Sequence, residues 1–334
     1  MSLARFLPDR FTTFLIATVI LASVLPAKGE AVPVLAVVTD IAIAFMFFLY
    51  GTRLATKAVI EGMAHWRFHL VVLAATFVMF PLIGVAVTKL PTWLLPAPLA
   101  LGLLYLCLLP STIQSSLAFT SIAGGNVAAA MVAATLSSLL GTVLTPLLVA
   151  WLASAHGSVA TADAIREIVK LLLIPFVLGQ LARPFIGGFV ARHKQILGAT
   201  DRGSILLVVY GAFSHAVVAG IWQALPPSGL LFMVVIEAVI LGFALVTTRF
   251  VARRLGFDRA DTIAIVFCGS KKSLASGVPM AGVLFAGPDL GMVLLPVMLF
   301  HQMQLMVCAV LARRWGAESA ALAAGAPTPV PAKA

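Results

Sequence analysis

Apolar runs of about twenty residues recur along the whole chain, separated by short polar stretches. One of them, LLFMVVIEAVILGF (Leu230–Phe243), carries a single charge. Runs of this length suit helices that cross a bilayer. They do not alternate with a period of two, which excludes a transmembrane barrel. Composition agrees, since the 334 residues are 61% hydrophobic and only 10% charged, whereas soluble domains are nearer half apolar and a quarter charged. The fold class is therefore an all-α membrane protein, with the lipid bilayer as its first partner. A net charge of +10 raises the question of nucleic acid, but the positive residues sit between the apolar runs, so no nucleic-acid partner is expected. Cys107, Cys268 and Cys308 all lie in apolar segments, have no metal-ligand spacing and read as small core residues. No metal or cofactor is expected.

The hydropathy pattern predicts about ten spans, at 11–27, 33–52, 68–88, 97–122, 127–153, 164–184, 201–222, 228–250, 261–286 and 290–312. With the N-terminus on the cytoplasmic side, 16 Lys and Arg fall in inside segments and 4 in outside loops, the remaining two being Lys271 and Lys272. That asymmetry places both termini in the cytoplasm, and the expected location is a bacterial inner membrane. A rival reads Arg5, Arg10, the apolar run after them and LPAKGEA as a cleaved signal peptide, which would leave nine spans. The Ala- and Pro-rich tail, 317–334, is expected to be disordered.

The spans divide near Ser154–Asp163 into two blocks of five, 1–153 and 163–316. In each block the fourth span is interrupted by Pro, Gly and polar residues. The second span of each carries a Tyr-Gly pair, Tyr50-Gly51 and Tyr210-Gly211. Because five is odd, the second block enters from the opposite side, giving an inverted repeat of the kind used by secondary transporters.

The first interrupted span is LCLLPSTIQSSLAFTSIAGGN (Leu106–Asn126). Pro110 removes a backbone donor and breaks the helix. Seven of the next eleven residues are polar: Ser111, Thr112, Gln114, Ser115, Ser116, Thr120 and Ser121. If a helix restarts there, Thr112, Ser115, Ser116 and Phe119 share a face and Gln114 projects elsewhere. Single hydroxyls usually bond back to their own helix; this density after a mid-membrane proline reads as the lining of a cavity. The second is FCGSKKSLASGVPMAGVLF (Phe267–Phe285), with Ser270, Lys271, Lys272 and Ser273 at the break. A lysine at mid-bilayer costs roughly 2.5–3.5 kcal/mol. Adjacent lysines point about 100° apart on a helix and need different partners: one can snorkel to the interface, and the other needs a carboxylate, carbonyls or water. Glu237 is the one carboxylate expected deep in the membrane. It is expected to pair with Lys271 or Lys272, more readily Lys272. Half-helix C-termini attract cations, so an ammonium can take the place of a metal ion at such a break.

These two stretches resemble the paired signatures of the bile acid:sodium symporter superfamily, and of its SBF-like branch in particular. HWRFHLVVLAATFVMFPLIG (His65–Gly84) and DRGSILLVVYGAFSHAVV (Asp201–Val218) fit that branch too, and the resemblance runs to about Trp315. It implies ten helices in two inverted repeats. Spans 1, 2, 6 and 7 would form a panel domain and the others a core in which broken helices 4 and 9 cross, with substrate between the two. The implied function is alternating-access transport of a small organic anion, commonly coupled to sodium. The family's sodium ligands carry over badly. Its Ser-Asn pair falls on Ser115-Ser116, its fifth-span hydroxyls on Ala130 and Ala134, its third-span Gln on Thr76, and its ninth-span Glu and Gln near Phe267 and Lys271. A loose sodium site could survive on Thr76, Thr112, Ser115 and carbonyls, which is the alternative of a sodium-coupled bile-acid-type symporter. The simpler inference is that one or both sodium sites are absent and Lys271 or Lys272 replaces the ion, so that coupling is to protons, with the lysine–Glu237 pair, His215 and His301 as candidate carriers, or transport is uncoupled.

Other classes fit less well. A Ser/Lys hydrolase built on Ser270 or Ser273 has no third partner or oxyanion site, so no enzyme is expected. A retinal pigment would need more aromatic residues around Lys271. A membrane regulator of calcium homeostasis is a further alternative, but no acidic cluster suited to calcium is present.

Overall fold

The computed structural model describes residues 10–53, 65–154, 166, 169–220, 226–285 and 289–323, and every regular element among them is helical. The first two helices are α1 (Arg10–Val24) and α2 (Ala31–Arg53). The next rod begins as α3 (Trp66–Ala74), passes through a π-helical turn at Ala75–Met79 and continues as α4 (Phe80–Val87). Then come α5 (Ala97–Leu108), α6 (Ile113–Ile122) and α7 (Val127–Ser154). A second π turn, Val169–Leu173, leads into α8 (Ile174–Arg192), followed by α9 (Lys194–Val218) and α10 (Pro227–Arg254). The last helices are α11 (Arg259–Gly269), α12 (Leu274–Leu284) and α13 (Leu290–Ala323).

Seven helical rods among the described residues are long and apolar enough to cross a membrane, and α5 with α6, bent by 63°, make an eighth. Two of the ten expected spans fall short of that test for physical reasons. The first, α1, is only 15 residues, and the ninth is cut into α11 and α12 around Ser270–Ser273, so neither piece spans alone. The outer surfaces are apolar, with Leu82, Trp151, Phe185 and Val246 exposed, as lipid-facing helices require. The tail expected to be disordered from 317 is helical to Ala323, because α13 runs on past the apolar segment; 324–334, like the join at 155–163, lies outside the described residues.

Proline explains where the helices deform. Leu109, just before Pro110, is extended (φ −70°, ψ 151°) and α5 stops one residue earlier, because proline crowds its predecessor out of the helical region. Each π turn ends two residues before a proline, Pro81 and Pro175. The missing N–H and the ring's clash with the carbonyl four residues back are relieved by widening the helix there.

The packing falls into two groups. Helices α1, α2, α8 and α9 pack on one another; α3–α7 and α10–α13 pack around the two broken segments; α9 meets α12 and α13 between them. The α2–α8 contact depends on glycine. A Cβ on Gly51 would lie 2.2 Å from the Phe176 carbonyl oxygen, and one on Gly179 would lie 2.0 Å from that of Phe48. The backbones touch, as small residues permit between membrane helices. Within the second group, Tyr105 on α5 donates to the Gly277 carbonyl at 2.6 Å and stacks edge-on with Phe285, tying α5 to α12.

Candidate functional site

The two interruptions lie against each other. The Ser273 N–H donates to the Pro110 carbonyl at 2.9 Å. The Ser111 hydroxyl donates to the Cys268 carbonyl at 2.6 Å, and that of Ser116 to the Phe267 carbonyl at 3.0 Å. Each broken helix thus supplies donors to carbonyls the other leaves free. The α7 helix helps, with Ser137 accepting from the Ser111 N–H and Thr145 donating to Leu108. Gln304 on α13 reads the main chain of Lys272 twice, accepting from its N–H at 2.9 Å and donating to its carbonyl at 2.8 Å. The Gln304 side chain also meets His301 Nδ1 at 3.0 Å.

Lys272 is buried at the centre. Its Nζ donates to the carbonyls of Leu109 at 2.7 Å, Cys107 at 2.9 Å and Thr76 at 3.0 Å, and lies 4.1 Å from the centroid of the Phe80 ring. Two of these acceptors are at the C-terminal end of α5, where the peptide dipoles leave partial negative charge. The third lies in the π turn, where the helical ladder is disturbed. Charge-assisted hydrogen bonds contribute about 1.5–3 kcal/mol each, so three outweigh the roughly 2.5–3.5 kcal/mol cost of an intramembrane lysine. Lys271, beside it in the non-helical break between α11 and α12, points elsewhere. Its Nζ donates to the Ser115 carbonyl at 2.9 Å and lies 3.8 Å over Phe119 and 5.3 Å from Phe267.

This corrects the expected Glu237–lysine pair. Glu237 is fully buried on α10, yet neither carboxylate oxygen has a hydrogen-bond partner among the described residues. The ammonium groups satisfy themselves on main-chain carbonyls and cation–π contacts, acceptors that no residue pattern reveals.

The other sequence candidates separate. Thr76 serves through its carbonyl while its hydroxyl bonds back to Val72. Ser270 bonds back to Val266, and Ser273 caps α12 by accepting from the Ser276 N–H. Thr112 is the N-cap residue of α6 but its side chain makes no cap bond. The Ser115 hydroxyl is buried without a partner among the described residues. His215 is exposed near the end of α9, away from the lysine break, whereas His301 reaches it through Gln304. Ala130 and Ala134 are buried among apolar side chains.

Gln114 on α6 borders a cavity of about 810 Å³ whose other walls come from α2, α8 and α9. Arg53 on α2, Gln180 and Arg183 on α8, and Asp201 on α9 line it with Gln114. Arg53 forms an ion pair with Asp201. Gln180 donates to the Gly51 carbonyl at 2.8 Å. Arg183 lines the cavity with no hydrogen-bond or ion-pair partner among the described residues. In the charge pattern Arg53 and Arg183 are loop charges and nothing more; Gln180, a lone amide inside an apolar run, is the signal the sequence offers.

The model of the SBF-like CPA transporter family matches residues 9–317. An uncharacterized protein of Pseudomonas aeruginosa is 55% identical over 332 residues, covering 98% of this chain and all of that protein. The Escherichia coli protein YfeH, named provisionally as a symporter, is 53% identical over 319 residues, 94% of this chain and 95% of its own length. Sodium/bile acid cotransporter 7 of Rattus norvegicus is 31% identical over 282 residues, 82% of each chain.

Proposed function

The chain belongs to the SBF-like CPA transporter family, and is an integral membrane transporter rather than an enzyme; from that premise we propose that it moves a small organic anion by alternating access, with Lys272 standing permanently where a coupling cation would sit. The observation that carries this is the triple-carbonyl seat of the Lys272 ammonium. A seat of main-chain oxygens at a helix C-terminus is what a desolvated monovalent cation requires, and here the chain fills it with its own side chain. The remaining architecture is that of two inverted five-helix repeats, 1–153 and 163–316. Helices α1, α2, α8 and α9 act as the panel, and the others as the core. Both termini are cytoplasmic in a bacterial inner membrane.

The cavity lined by Gln114, Gln180 and Arg183 supplies the substrate site of this reading, because a guanidinium without a partner among the described residues, placed in a cleft, selects an anion. Glu237, buried and without a hydrogen-bond partner among the described residues, is the group of this reading that exchanges the coupling proton. A sodium-coupled symporter is the second reading, favoured by the Ser115 hydroxyl, buried and without a partner among the described residues, and by the sodium in the rat relative's name.

Thermal unfolding of the purified protein in sodium chloride against matched potassium chloride separates them. Ligands that bind only the folded state raise Tm. Equal Tm values in the two salts are expected; a sodium-specific rise would overturn the lysine-for-ion reading and favour the sodium symporter. Organic anions screened in proteoliposomes under a pH gradient should then show uptake that Arg183→Ala abolishes.

A further inference from the structure

A second basic pocket, of about 200 Å³, lies at the end of the core where α10, α11 and α13 meet. Arg249 and Arg253 from the last turns of α10 line it with Arg259, Thr262 and Trp315. Three guanidiniums repel one another at this range, and only one is neutralised. Arg259 pairs with Glu318 at 3.0 Å and also donates to the Trp315 carbonyl and the Ser319 hydroxyl. Arg249 lies 5.3 Å from the centroid of the Trp315 ring. Neither Arg249 nor Arg253 has an ion-pair partner among the described residues. The neighbouring arginines are differently engaged: Arg67 donates to the Leu255 carbonyl over Phe257, and Arg254 stacks on Phe250. The surplus charge is therefore concentrated in one concave place, floored by an indole and flanked by the Thr262 hydroxyl.

We propose that this pocket binds a phosphate group, with Arg249 and Arg253 as its ligands and Trp315 as its floor. A tetrahedral dianion or phosphodiester matches two guanidinium forks, and its charge removes the repulsion that the pocket otherwise carries. Arginines at the end of a membrane helix, beside an indole, stand at headgroup depth, where anionic lipids are bound. The source is a lipid headgroup or a soluble phosphate, and the two are separable by experiment. The site is distinct from the cavity around Arg183, yet it is not isolated from the transport machinery. The Trp315 ring lies 5.5 Å from Phe267, Phe267 lies 6.0 Å from Phe119, and Lys271 Nζ sits over both phenylalanines. Occupancy thus loads one end of an aromatic column whose other end holds Lys271.

The test uses thermal unfolding of the full chain, so it does not depend on knowing any transported substrate. Inorganic phosphate is compared with chloride at matched ionic strength in detergent. Nanodiscs of phosphatidylglycerol are compared with phosphatidylcholine. A rise in Tm of about 2–4 °C or more is expected in at least one arm, and it should disappear in Arg249→Gln/Arg253→Gln. Stabilisation by free phosphate identifies a soluble source, and stabilisation by phosphatidylglycerol alone a headgroup. Arg253→Gln by itself, at an exposed side chain, guards against misfolding of the double variant and should lose most of the shift. No shift in either arm, or a full shift in both variants, overturns the proposal.

Discussion

Lys271 and Lys272 are neighbours in sequence with unequal work. Removing the Lys272 ammonium leaves three carbonyls at helix breaks without a donor, whereas the Ser115 carbonyl that accepts from Lys271 lies inside α6 and loses only its charge-assisted bond. An orphaned buried acceptor costs about 1–3 kcal/mol. Lys272→Met should therefore lower stability by about 3 kcal/mol or more and Lys271→Met by about 1–2 kcal/mol. Thermal unfolding of the two purified variants checks the order; equal losses would mean that the carbonyl seat contributes nothing special. Glu237→Gln keeps the shape of a buried side chain that has no hydrogen-bond partner among the described residues to lose. It should leave Tm within about 1 °C of the parent while removing any response of transport to an imposed pH gradient. At this scale the sequence was partly readable. Two lysines in an apolar run announced a break and a buried charge. Their partners were not readable, because main-chain oxygens freed by a proline bend and a π turn have no letter in the sequence. The expected Glu237 contact failed for that reason: carbonyls were among the expected acceptors, but the sequence does not say which ones a proline bend and a π turn set free.

Elements were more legible than contacts. Pro110, Gly269 and Gly277 marked the interrupted helices, and the length of the apolar runs marked the rods. The π turns went unread although each has its signal, Phe80-Pro81 and Ile174-Pro175, two residues beyond the turn. The α2–α8 crossing was hidden for another reason: Gly51 and Gly179 are 128 positions apart, and only the fold shows that each occupies the other helix's surface. A side chain at either position must push the backbones apart. Gly179→Val should destabilise the protein by about 1–3 kcal/mol and reduce the folded yield in detergent, read by size-exclusion chromatography. Gly188→Ala on the same helix, with open space around it, should be neutral.

The whole molecule is arranged around an uneven charge distribution and a division into two helix groups. Charge counting assigns the Arg254 end to the cytoplasm and Lys89 to the opposite side. Both side chains are exposed, and the native cysteines Cys107, Cys268 and Cys308 are all buried. Lys89→Cys and Arg254→Cys therefore report topology directly. In intact cells a membrane-impermeant maleimide should label Lys89→Cys and not Arg254→Cys; the reverse pattern would invert the assigned orientation. The division into groups was accessible only by resemblance, since no local pattern says that α1 and α2 pack with α8 and α9 across the chain's midpoint. The cavity lined by Arg53, Gln114 and Arg183 arises from that division, which is why three residues scattered over 130 positions were not read together.

The seat of the Lys272 ammonium has an electrical consequence. A sodium ion carried by a symporter leaves its charge on the far side, and the membrane voltage does about 2.3 kcal/mol of work on it per 100 mV. A cation bonded to the chain makes the return journey with the protein, so over a full turnover it delivers no charge at all. Such a carrier shows a transient displacement current when substrate is added and no steady current from this site, and whatever uphill accumulation it achieves is drawn from solute gradients rather than from voltage acting on a bound metal ion.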